Sequence, residues 1–432
     1  MVAQLPFDRQ TLQLEVPDDT IVFRSSFPSP PAPPGQTVLD ALRSPPDGLP
    51  LTETLKNRRS GNVVIVVSDI TRPIPYSRFL GGMLEEIESS GVGKKEILIL
   101  VANGMHRPST PGERERMFGA EINASYRIID HHADRADELV ELEGKSRSGN
   151  RVRLNRHFIE AGFRIVTGLV EPHFMAGFSG GRKAVCPGLV SLETVNNFHG
   201  YAFLSDKSAR NGILTENPCH EESLSIARLA GVDFSLNLVL DKDRNVVRAF
   251  AGDLESSHEA ASDFVRQHAC RDVPGECDVV LTSSGGYPLD ATFYQCVKGM
   301  VSCLPAVREN GIVVSVGGCR EGIGSREYKE LMGKYSGRWR EFLIDIEKSE
   351  EVKKDQWQFQ MQARVLEKTG CRNLYFITDA LPAEDMEKLC VNGISAERGM
   401  VEKTVQEVLD RLLLSGGKLA VLPEGPYCAL VE

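Results

Sequence analysis

The sequence lacks the features that mark a metal cage, a disulfide scaffold or a membrane span. Its ten cysteines, at 186, 219, 270, 277, 296, 303, 319, 371, 390 and 428, contain no CxxC pair and no Cys/His zinc spacing. They read as buried thiols of a reducing compartment. No apolar run approaches the ~20 residues of a membrane helix. The opening MVAQLPFDRQTLQLEV has neither the basic nor the apolar region of a signal peptide, so a cytoplasmic location is expected. Basic residues are outnumbered, 50 Lys+Arg against 60 Asp+Glu for a formal charge of −10, which argues against a nucleic-acid partner. No solenoid-period repeat is present. Two phosphate-binding signatures are also missing: Arg182 stands where a GxxxxGK[ST] spacing from Gly177 requires glycine, and the segment holds no GxGxxG.

What is present is an acidic chain of 432 residues, long enough for two to three domains at ~150 residues each. Short apolar runs alternate with helical patterns. Strands are expected at Val63–Asp69, Glu96–Ala102, Arg164–Gly168, Asp278–Thr282, Ile312–Val316, Asn373–Ile377 and Lys418–Leu422. Amphipathic helices are expected within Arg78–Ser89, Asp290–Glu309 and Val401–Leu414. This alternation predicts an α/β chain with mostly parallel sheets, in two domains with a site in the cleft between them. Residues 1–268, completed by 400–432, form the expected first domain, and 275–399 the second. The boundary falls in Arg266–Cys277, and the proline-rich Phe27–Gly35 reads as a stiff surface loop.

Ligands of parallel sheets bind at the carboxyl ends of strands, so the loops after these strands carry most weight. The first is Ser68–Pro75, where Asp69 and Thr71 can orient a ligand and Arg72 offers a planar fork to an anion. It reads equally as a turn with an exposed arginine. The second, Asn103–Pro108, holds His106, which can serve as a general base but, taken alone, is more often a hydrogen-bonded structural histidine. The third runs from Gly168 to Gly188, with His173, a cluster of glycines at 177, 180 and 181, and Lys183 as anion ligand or amine nucleophile. His199 ends the next helical stretch, as a dipole partner or, with His106 and His173, a metal ligand. The fourth, after Asp278–Thr282, places Tyr294, Gln295 and Lys298 on a helix, the last two on one face for a carboxylate.

Together, SDITRPIP, GMHRP, EPHFMAGFSGGRKAVCPG, the NNFHG histidine and SSGGYPLDATFYQCVKG resemble the nickel-pincer-dependent lactate racemase family of 2-hydroxyacid racemases and epimerases. The resemblance spans most of the chain. It implies a nickel-pincer nucleotide, Ni(II)-pyridinium-3,5-bisthiocarboxylate mononucleotide, attached covalently at Lys183, with His199 as the nickel ligand. It implies His106 and His173 as the catalytic pair, and Asp69, Ile70, Thr71 and Arg72 as cofactor contacts. Arg72, Gln295 and Lys298 match substrate contacts, with Tyr294 and Trp357 as neighbours. The implied reaction inverts C2 of a 2-hydroxy acid by hydride transfer coupled to proton transfer, on a lactate-like, longer or sugar-acid substrate. The implied partners are that substrate and cofactor-biosynthesis proteins. Phe7-Asp8 departs from the Tyr-Gly frequent in relatives, and Met105 and Met175 can shape the pocket, so lactate itself is not implied. A nicotinamide-dependent dehydrogenase is disfavoured by the missing dinucleotide fingerprint. A non-catalytic nickel or cofactor carrier is disfavoured by the histidine pair.

Overall fold

A computed structural model describes residues 1–349 and 351–431. Among these residues lie two six-stranded sheets. The first is ordered Val246–Gly252, Phe234–Leu240, Phe163–Leu169, Val63–Ser68, Ile97–Ala102, Arg127–Asp130. All its neighbours are parallel except Phe234–Leu240 with Val246–Gly252. The second is ordered Asn392–Ser395, Leu374–Thr378, Val307–Val316, Cys277–Ser283, Leu419–Leu422, Ile21–Val22, and is parallel throughout.

The run VVIVV at 63–67 shows why these strands are continuously apolar. Val63, Ile65 and Val67 pack with Leu80, Met83 and Ile87 of the helix Leu80–Ser89. Val64 and Val66 face the other way into a larger cluster. Strand side chains alternate between faces, and here both faces are covered. That larger cluster continues through Phe198 to Phe293, Met300 and Phe376 of the second unit. The two units therefore share a core.

All seven expected strands are present, and two expectations need correction. The helix anticipated over Asp290–Glu309 spans only Phe293–Ser302, and a strand starts at Val307. Pro305 lies between them and cannot supply the N–H that a continuing helix needs. The segment 400–432 does not complete the first unit. Its strand Leu419–Leu422 pairs with Cys277–Ser283 in the second sheet, and Val401, Val405 and Leu409 of the helix Val401–Leu413 pack on Val279 and Ile377. The chain start joins the same unit, because Leu5, Phe7 and Leu14 of the hairpin Val2–Phe7 and Gln10–Glu15 bury in that cluster.

The first sheet is thus inserted into the second unit, and the chain crosses between them twice. One crossing is the proline-rich segment, and the other follows the helix Leu254–Ala269. They are tied side by side: Ser26 N donates to His268 O at 2.7 Å, and Phe27 stacks on Phe264 at 6.4 Å. The sheets present their carboxyl ends to one another. Arg244, just past Phe234–Leu240, donates to the Tyr427 hydroxyl beyond Leu419–Leu422 at 2.8 Å.

Candidate active site

The strand Val63–Ser68 ends at Asp69, a carboxylate only 6% exposed. Its Oδ1 accepts from Thr71 N at 3.2 Å and Thr71 Oγ1 at 2.6 Å, which folds the loop back on itself. Its Oδ2 lies 2.6 Å from His106 Nδ1. Burial pushes this carboxyl upward, but hydrogen bonds from His106 and Thr71 outweigh it and hold it below its ordinary range. An ionised carboxylate only accepts, so His106 carries a proton on Nδ1, and in the neutral ring Nε2 is the atom with the free lone pair. The His106 side chain is 57% exposed. Ile70 and Thr71 are exposed beside it, and Arg72 is half-buried.

His173 has the opposite arrangement. It sits in a small hairpin where Pro172–His173 pairs with Gly177–Phe178. Its Nδ1 accepts from Met175 N at 3.3 Å and Ala176 N at 3.2 Å. The neutral ring therefore carries its proton on Nε2, which lies 3.2 Å from Lys183 Nζ. Burial holds the His173 ring well below its ordinary range, with Lys183, Arg72 and Lys298 adding repulsion. Lys183 is pushed down to about 7, first by burial and then by Arg72 and Arg182.

The loop holding this pair depends on a buried cation that the sequence did not single out. Arg182, 1% exposed, donates to Ala176 O at 2.8 Å, Phe178 O at 2.9 Å and His258 Nε2 at 2.6 Å. Gly177, at φ +73°, lies so close to Ile213 that an added Cβ would sit 2.1 Å from its carbonyl oxygen.

His199 caps the helix Leu192–Phe198 and donates from Nδ1 to Val195 O at 2.8 Å, which leaves Nε2 with a free lone pair. Its ring is pinned edge-on to Phe198 at 4.8 Å and over Trp357 at 4.5 Å. Burial takes it down to about 3. Trp357 comes from the second unit and donates from Nε1 to the Tyr294 hydroxyl at 2.9 Å. One turn on from Tyr294, half-buried Lys298 has no ion pair among the described residues, and its ammonium lies 5.9 Å from the Phe174 ring centre. Burial, then Arg72, lowers it to about 7. Gln295 Oε1 is buried without a hydrogen-bond partner. That oxygen can only accept, so a carboxylate would meet the Gln295 amide at its Nε2 donor instead.

Every residue singled out from the sequence thus falls in one region at the meeting of the two units. Mutual charge effects link Lys183 and His106 to His199, and Arg72 and Lys298 to His173. Glu171 was missed. Its Oε1 binds Arg72 at 3.0 Å, so that arginine already holds a carboxylate. A cavity of about 350 Å³ lined by Arg24, Arg244, Glu424 and Tyr427 adjoins the cluster through Glu171. Among the described residues no group of three or more His, Cys, Asp or Glu is placed to hold a metal.

Two family models match the chain, lactate racemase N-terminal domain over residues 7–212 and lactate racemase C-terminal domain over 273–425. The chain belongs to the lactate racemase family. It is 32% identical to the lactate racemase of Lactiplantibacillus plantarum, over 98% of this chain and 99% of that one. It is also 32% identical to the lactate racemase of Thermoanaerobacterium thermosaccharolyticum, over 89% of this chain and 92% of that one. The lactate racemase apoprotein structure from T. thermosaccharolyticum superposes with a TM-score of 0.91 at 29% identity, covering 100% of both chains. A Thermotoga maritima protein shares the fold at a TM-score of 0.65 and 16% identity, over 88% of this chain and 96% of that one. Membership of this racemase family makes the chain an isomerase. No helix among the described residues is long and apolar enough to cross a membrane.

His131 is buried, with Nε2 3.0 Å from Val190 O and Nδ1 facing the Asn155 amide at 3.2 Å. Burial lowers it from 6.5 to about 4. The unfolded chain therefore binds this proton at a higher pH than the folded one, and stability is lost as pH falls from 6.5 towards 4. Thermal unfolding followed across that window is expected to show a falling Tm, with a shallower fall in His131→Gln.

Proposed function

We propose that this lactate racemase family member is a 2-hydroxyacid racemase or epimerase that uses a nickel-pincer nucleotide carried on Lys183. The observation that carries this reading is the pair of histidines in opposite proton states. His106 offers a bare Nε2, and His173 offers Nε2–H. A reaction that strips a hydroxyl proton on one face and returns it on the other needs one base and one acid, exchanging roles with the enantiomer.

The chain's donors suit the cofactor. Lys183 supplies a neutral amine for the covalent link. His199 Nε2 supplies the protein ligand to nickel, and Trp357 and Phe198 hold that ring in place. Asp69, Ile70, Thr71 and Arg72 form the loop beside it. When bound, the group accepts a hydride from C2 and returns it, which avoids a carbanion next to the substrate carboxylate.

The remaining work falls to the protein. Lys298 and the Gln295 amide hold the substrate carboxylate, and Tyr294 and Trp357 wall the pocket. Arg72 borders it, with its charge partly satisfied by Glu171. His106, oriented by Asp69, takes the hydroxyl proton of one enantiomer. His173 returns a proton to the oxygen once the planar 2-oxo acid presents its other face. Short, aromatic and sugar 2-hydroxy acids are the substrates to compare, and cofactor-biosynthesis proteins are the proposed partners for loading.

Lys183→Ala is expected to abolish covalent cofactor attachment. Intact mass after exposure to the cofactor checks this, and a persisting adduct in the variant would count against the assignment. Absence of racemisation by nickel-loaded wild-type protein on all three substrate classes would sink the reading as a whole.

A further inference from the structure

Before any cofactor is attached, the amine of Lys183 is already arranged as a nucleophile. The backbone N–H groups of Met175 and Ala176 occupy His173 Nδ1, so Nε2 carries the ring proton and faces Lys183 Nζ at 3.2 Å. A hydrogen bond in that sense requires a lone pair on Nζ, hence an uncharged amine. Burial acts in the same direction, holding the amine near about 7. Lys298 acts on the same histidine and has no ion pair among the described residues; burial lowers it too, to about 7, so an arriving carboxylate would draw the proton onto it, while Arg72 is engaged by Glu171. An uncharged buried amine, an acid–base group in contact and a cation for a neighbouring carboxylate are the parts of an imine-forming site.

We propose that in the cofactor-free chain Lys183 condenses with the carbonyl of a 2-oxo acid whose carboxylate is held by Lys298, giving a reversible imine. This rests on the reading of the pocket as one for carboxylates oxygenated at C2. The Nζ lone pair attacks C2, the carbonyl π bond opens, and the His173 Nε2 proton passes to the oxygen while Nε2 takes one proton from the now cationic nitrogen. His173 then gives that proton to the hydroxyl of the carbinolamine; the C–O bond breaks, water leaves, N=C forms, and the second nitrogen proton returns to Nε2. Amine and ketone become imine and water, with no change of oxidation state. The 2-oxo acid thereby occupies the amine that the cofactor needs, so it slows loading of the chain.

The test is borohydride trapping on the full-length, cofactor-free protein with pyruvate as probe, read by intact mass and peptide mapping. One reduced pyruvyl group at Lys183 is expected, absent in Lys183→Met. His173→Asn is expected to slow trapping about 10²-fold or more. Lys298→Met is expected to raise the pyruvate concentration needed, and acetone, which has no carboxylate, to be trapped poorly by the wild type. Trapping at Lys298, trapping scattered over surface lysines, or equal trapping of acetone would overturn the proposal. Racemisation by loaded enzyme is measured in parallel. Racemisation without trapping removes the imine alone, whereas trapping without racemisation leaves the imine and removes the racemase reading.

Discussion

His106→Gln is expected to lower racemisation by loaded enzyme about 10²–10⁴-fold, the usual contribution of a positioned acid–base group, with Tm nearly unchanged. The two effects separate because the side chain is 57% exposed and removing it opens no core cavity. Asp69→Asn gives a sharper form of the same test. The amide can donate to His106 Nδ1, which forces the ring proton onto Nε2 and removes its free lone pair. The ring stays in place while its chemistry is inverted. A loss in kcat of similar order, with KM little changed, is the expected result. Full activity in Asp69→Asn would mean that the 2.6 Å contact does not set the proton state of the base.

The second large effect concerns the backbone that carries the other histidine. Gly177→Ala places a methyl 2.1 Å from Ile213 O in a residue at φ +73°. The obstacle is main chain, so no side-chain rotation relieves it. Left-handed strain of about 1–2 kcal/mol and overpacking of about 1–3 kcal/mol together give a loss of about 2–5 kcal/mol. Chemical denaturation measures it directly. Gly149→Ala is the matched control, because that glycine has φ +81° but open space around it. It is expected to lose only the conformational part. A Gly177→Ala protein as stable as this control would show that the hairpin shifts freely, and the His173–Lys183 contact could then not depend on it.

The parts of this molecule legible in its sequence are those written into local patterns. The run VVIVV announces a strand buried on both faces, whereas the helix expected to Glu309 overran the stop that Pro305 marks. Several of the candidate site residues, Asp69 and His106 among them, stand just past strand ends, where parallel sheets collect their ligands. Partnerships between distant segments left no such trace. Arg182 and Lys183 are adjacent and look alike as a basic pair, yet one is sealed among carbonyls and the other faces the cleft. Its partner His258 lies on another helix, and no spacing rule connects them. Glu171 stands inside a motif noted for its histidine and lysine, and only the fold shows it answering Arg72 across 99 residues. The order of parallel strands is equally silent, which is why Leu419–Leu422 was expected in the wrong sheet.

The doubled crossing between the units has a mechanical consequence. Two separate tethers would let one unit twist and slide against the other. Here both passages run side by side, joined by Ser26 to His268 and by Phe27 to Phe264. The paired passages form one line of attachment, and a turn about that line would part Trp357 from His199.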